Sequence, residues 1–129
     1  VIRFSQATIP NGAAPGDTIS VSPDSDVLDS RLQGQKVCSF FALPSADLND
    51  DLQNIEINAL LNDSDVDSIK NVPLFLVSDT ADGTIQRYKP GDVYVPVTEI
   101  FTFEIEIINS LNTGTDGTID LFIESDANC

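Results

Sequence analysis

Any bond-making or bond-breaking chemistry on this chain would have to run on carboxylates. The 129 residues include 21 Asp and Glu but no histidine. Without imidazole there is no Ser-His-Asp or Cys-His arrangement, no histidine-ligated zinc or copper, and no ordinary proton shuttle near neutral pH. A phosphate-cradling glycine loop with its lysine is also missing. The carboxylates that draw notice first are Glu104 and Glu106, two residues apart in Phe103-Glu104-Ile105-Glu106-Ile107. A glycosidase needs two carboxyls roughly 5–10 Å apart on either side of a sugar cleft. Here both glutamates fall on the polar side of an alternating segment, so they are expected to face water. The chain also lacks tryptophan, the usual aromatic platform for a sugar. A second pattern, Leu76-Val77-Ser78-Asp79-Thr80-Ala81, carries the Asp-Thr of aspartic proteases. Those enzymes need glycine where Ala81 stands, and the chain holds no second copy to supply a partner aspartate unless it dimerises. A strand ending in a turn is expected there.

Other residues suit binding better than catalysis. Asp63, Asp65 and Asp67 alternate like the opening of an acidic cation loop, and hard oxygen ligands of that kind suit calcium. An EF-hand loop would want glycine at Ser68 and glutamate at Leu74, and has neither. Asp24-Ser25-Asp26 and Asn49-Asp50-Asp51 are further acidic loops that would have to converge in space to help. The only tyrosines, Tyr88 and Tyr94, flank Lys89-Pro90-Gly91-Asp92, with Arg87 alongside. Aromatic and Arg residues are typical interface anchors, so Arg87, Tyr88, Lys89 and Tyr94 are the candidate binding residues. Asn62-Asp63-Ser64 is a sequon, which makes Asn62 a candidate for glycosylation in a eukaryotic source.

The elements that must position these groups read as strands. Turn signals recur at Pro10-Asn11-Gly12, Pro15-Gly16-Asp17, Asp82-Gly83, Pro90-Gly91-Asp92 and Asp116-Gly117, separated by runs rich in Val, Ile, Thr and Phe. Strands are expected near 1–7, 18–22, 35–43, 54–60, 73–78, 84–88, 93–97, 99–109 and 117–125. Phe101, Phe103, Ile105 and Ile107 share one face of their segment, as do Ile119, Leu121 and Ile123 of theirs. One-sided burial of this kind is the habit of antiparallel sheets. Phe122 falls on the outer face. Residues 45–61 fit both periods, and the reading adopted is a short helical turn at 45–52, capped by Ser45, followed by a strand. The expected fold is therefore all-β, a predominantly antiparallel sandwich with a barrel as second choice, in one domain over 1–129.

Cys38 lies in the apolar run Val37-Cys38-Ser39-Phe40-Phe41, and Cys129 is the last residue. A disulfide between them would pin a loose terminus to a core strand and implies an oxidising compartment outside the cell. Opening on Val1 within a strand-like segment fits a chain from which a targeting peptide has been removed, or a trimmed one. No apolar run approaches the roughly 18 residues that a membrane span needs. The net charge of −15 repels phosphate backbones and anionic lipid, which sets nucleic acid and cytoplasmic membrane surfaces aside as partners.

The short acidic chain, the mid-chain cysteine paired with a terminal one, and the many Asp, Ser, Thr and Gly turns resemble small secreted proteins of filamentous fungi. The likeness rests on Val37-Cys38-Ser39-Phe40-Phe41 and on Ser125-Asp126-Ala127-Asn128-Cys129. Within that group the chain is most similar to the elicitors of plant-pathogenic fungi that induce a hypersensitive response. The resemblance implies an extracellular effector perceived by a plant host, with no enzymatic activity and no active residues to carry over. The expected partner is then an extracellular protein receptor. A carbohydrate-binding module acting on cell-wall glycan, with or without calcium, is the alternative, and a carboxylate-dependent hydrolase is the third reading.

Overall fold

The computed structural model describes residues 2–24, 32–78, 85–91, 93–126 and 129. Nine strands follow in order: β1 (Ile2–Ile9), β2 (Thr18–Val21), β3 (Gln35–Pro44), β4 (Ile55–Leu61), β5 (Ser64–Asp65), β6 (Val72–Pro73), β7 (Tyr94–Val95), β8 (Phe101–Ile107) and β9 (Gly117–Asp126). One sheet runs β1-β9-β3-β7. The other runs β2-β8-β4-β5, with β6 also pairing to β4. Every pairing is antiparallel, and one sheet is curled into a half-barrel. The all-β sandwich expected from the sequence is the fold observed.

Alternation explains how the two sheets meet. Along β8 the burial pattern alternates strictly, with Phe101, Phe103, Ile105 and Ile107 inside. Ile119, Leu121 and Ile123 of β9 face them from the other sheet. The core is joined across the layers by aromatic contacts. Phe4 meets Phe103 at 5.0 Å between ring centroids, and Phe103 meets Phe40 at 5.2 Å. Two register shifts break the alternation, one between Arg3 and Ser5 and one between Val37 and Ser39. A bulge adds one residue to one side of a pair and re-aims its neighbours. At the first shift Phe4 goes into the core. At the second, Cys38 leaves the alternation and forms the disulfide to Cys129, with Cα atoms 5.5 Å apart.

Several expected elements are shorter or different. The strand expected at 73–78 is absent: β6 ends at Pro73 and a 3₁₀ turn follows over Leu74–Leu76. Pro73 has no N–H to continue a ladder, and the run after it has no alternation to pick a face. Within 84–88, Tyr88 meets β3 through a bridge to Phe40 rather than a strand ladder. The strand at 93–97 shrinks to the two residues of β7. Helical structure near 45–52 is one 3₁₀ turn, Ala46–Leu48, and Ser45 does not cap it. The Ser45 hydroxyl instead accepts from Thr118 N at 3.0 Å, tying the turn to β9. The Asp-Thr-Ala pattern at 79–81 lies outside the described residues, as do Ser25 and Asp26.

Asp51 is fully buried and shows why its loop reads as acidic yet serves structure. Its carboxylate accepts from Asn112 N at 2.6 Å, Thr113 N at 3.1 Å and Asn54 Nδ2 at 3.1 Å. Three donors satisfy the buried charge and anchor the segment leading into β9.

Candidate recognition clefts

Two open clefts stand out among the described residues, and residues 87–91 and 93–94 divide between them. Arg87 and Lys89 line the first cleft, of about 550 Å³, with Ser39, Glu124 and the Cys38–Cys129 disulfide. Val93 and Tyr94 line the second, of about 570 Å³.

In the first cleft, Arg87 Nε sits 2.8 Å from Glu124 Oε1. Ser39 Oγ donates to the same oxygen at 2.9 Å. The guanidinium also lies over the Phe41 ring, 5.4 Å from its centroid. Phe41 stacks on Phe122 at 5.0 Å, so the outward Phe122 packs against a neighbour on its own sheet. Arg87 is thus committed to a polar and aromatic packing arrangement. Lys89 is exposed and makes no ion pair among the described residues.

Tyr88 does not join Tyr94 on a common face. Its ring is half-buried against Phe40 at 5.4 Å, and its hydroxyl donates to the Ser68 carbonyl at 2.8 Å. It braces the 66–69 loop from behind. Tyr94, by contrast, is 51% exposed.

The second cleft is built on the β4–β5 hairpin. Asn62 and Asp63 form its two-residue loop at φ 49° and 64°, the left-handed pair that a type I′ turn requires and that Asn and Asp tolerate. The hairpin is fastened to the turn after β7. Asn62 N donates to Ile100 O at 2.9 Å, and Ile100 N donates to Asn62 Oδ1 at 2.9 Å. Leu61, Val66 and Val93 give the cleft apolar walls, while Asp65, Asp67 and Glu99 bring carboxylates. Lys70 Nζ stands 3.5 Å from Asp65 Oδ2. Asp67 and Glu99 have no cationic partner among the described residues.

The alternating aspartates are therefore split. Asp65 and Asp67 line the cleft, and Asp63 sits at the hairpin tip. Among the described residues no group of three His, Cys, Asp or Glu is placed to hold a metal ion. The calcium expectation gains no support from the geometry. Asn62 is exposed, as the sequon reading requires.

Glu104 and Glu106 line neither cleft. They stand half-buried on the outer face of their sheet, Glu104 between Ser20 and Asn58, and Glu106 between Thr18 and Glu56. Glu56 holds its proton more tightly than an ordinary carboxyl, because of partial burial first and the facing Glu106 charge second. Neither of the two clefts reaches this pair.

The sequence reading missed Glu99, Val97 and Ile100. The last two are 65% and 47% exposed and flank Glu99. Pro96 was the available signal, since a proline closes a strand: Glu99 N donates to Pro96 O at 3.0 Å in the resulting turn.

Among the described residues no helix is long and apolar enough to cross a membrane. The fold and clefts define a disulfide-closed β-sandwich with an open, aromatic-bearing acidic cleft. No protein-family model, curated protein or solved structure matches the chain.

Proposed function

We propose that this chain is a non-enzymatic recognition domain of the extracellular space that meets its partner through the Tyr94 cleft. The observation that carries the reading is a tyrosine half in water on the wall of a 570 Å³ concavity with apolar sides. Tyrosine offers a large apolar face and a polar tip at little entropic cost, which is why it recurs at contact sites. Three further observations support it. The disulfide suits an oxidising compartment. The chain has no histidine. The facing carboxylates Glu56 and Glu106 line neither cleft.

Following the resemblance to fungal elicitors, the partner is a receptor at a plant cell surface. Purified protein at micromolar dose is then expected to trigger cell death or an oxidative burst in leaf tissue, with Tyr94→Ala much weaker. Inert leaves would overturn that reading.

A second reading, a cell-wall glycan module, is favoured by the same ring, because a sugar's apolar face stacks on an exposed aromatic. It requires retention on insoluble chitin, glucan or cellulose, and reduced retention of Tyr94→Ala.

A further inference from the structure

We propose that the Tyr94 cleft selects an amino sugar, its ring stacked on Tyr94 and its protonated amine held by Asp67 and Glu99. The inference rests on the glycan reading above and adds the charge of the ligand.

The charges in the cleft are one-sided. Three carboxylates line it, and Lys70 beside them is paired with Asp65. Asp67 and Glu99 stay unpaired among the described residues. An acidic glycan would be repelled by them, and a neutral one would gain nothing from the second charge. An ammonium gains from both, and from the π face of Tyr94 as well.

The hydrogen-bonding groups point to a sugar rather than a basic peptide. Peptides commonly dock by pairing main chain with an open strand edge. Three backbone donors beside this cleft are already used: Asn62 N on Ile100 O, Val66 N on Ala59 O, and Ile69 N on Val66 O. Side chains supply further polar groups. Asn62 Oδ1 is taken by Ile100 N, which leaves its Nδ2 as a donor. The hydroxyls of Ser64 and Ser68 also line the cleft. Amide and hydroxyl groups around an apolar ring face suit the equatorial hydroxyls of a pyranose.

Titration calorimetry on the intact chain, at fixed ionic strength, separates the possibilities. The probes are a glucosamine tetramer, the fully N-acetylated tetramer, a galacturonate oligomer of equal length and a tetralysine peptide. The glucosamine tetramer is expected to bind at least tenfold more tightly than the other three. Tyr94→Ala, Asp67→Asn and Glu99→Gln should each weaken it severalfold. Glu104→Gln removes the same charge from a remote face and should leave it unchanged, which separates local recognition from the general pull of an acidic protein on cations. Thermal melts establish that each variant is folded. Equal binding of the amino and N-acetyl tetramers, both lost in Tyr94→Ala, would overturn the charge selection and leave the glycan reading standing. No binding of any sugar would overturn both. Tetralysine bound as tightly, or Glu104→Gln as damaging as Asp67→Asn, would overturn the assigned site.

Discussion

Glu56 and Glu106 stand directly opposite each other on β4 and β8, and like charges in that relation oppose sheet pairing. The folded chain keeps the Glu56 proton above the ordinary value of 4.5, through burial and then the Glu106 charge. A carboxyl with a raised folded-state pKa binds more protons folded than unfolded. Its favourable contribution is present at acid pH and is lost as pH rises through the raised value. Glu56→Gln removes the repulsion without changing shape. The variant should be more stable than the parent at pH 7 by a few tenths of a kcal/mol, with the difference vanishing below about pH 4. Urea midpoints at the two pH values check this; a gain that persists unchanged in acid would refute the electrostatic cause. The outward placement of these glutamates was legible, since Phe and Ile alternate with them. Their cross-strand meeting was not, because the register of β4 on β8 is set by contacts no single segment displays.

At the scale of elements, what could be read was whatever has one wet face and one dry one. β8 and β9 announce themselves through alternation, whereas residues 72–77 are apolar throughout and carry no period, so a strand was expected where a 3₁₀ turn forms. Gly117 illustrates a right residue given the wrong reason. Asp116-Gly117 reads as a turn needing positive φ, yet Gly117 is not among the residues with positive φ and opens β9. Its reason is space: an added Cβ would lie 2.6 Å from Leu48 Cγ and 2.7 Å from Leu48 Cδ2. Leu48 is fully buried and has little room to move. Gly117→Ala should therefore destabilise the fold by about 1–3 kcal/mol. In a Leu48→Ala background the same change should cost under about 1 kcal/mol, giving a large coupling in a double-mutant cycle. Additive losses would show that the glycine acts through backbone freedom instead. The Tyr94 cleft was half legible for a related reason. Its residues come from 61–68 and 93–99, and only the fold brings those stretches together.

For the whole molecule, two cysteines permit one intramolecular pairing, so the covalent closure could be read from the sequence while its setting could not. Cys38 reaches Cys129 from the β3 bulge, beside the first cleft. The bond closes a loop of sequence separation 91, which holds every strand from β4 to β9. Its main effect should fall on the unfolded chain, whose freedom it restricts, rather than on contacts in the folded one. For a loop this long the chain-entropy model gives about 4 kcal/mol. The Cys38→Ser/Cys129→Ser double variant should keep the sheet signature in far-ultraviolet circular dichroism and lose about that much stability in urea. Its denaturant slope should rise, because an unlinked chain exposes more surface on unfolding. A loss under about 1 kcal/mol with the slope unchanged would mean that the unfolded ensemble stays compact without the bond. Cohesion would then rest on the aromatic core joining Phe4, Phe40 and Phe103.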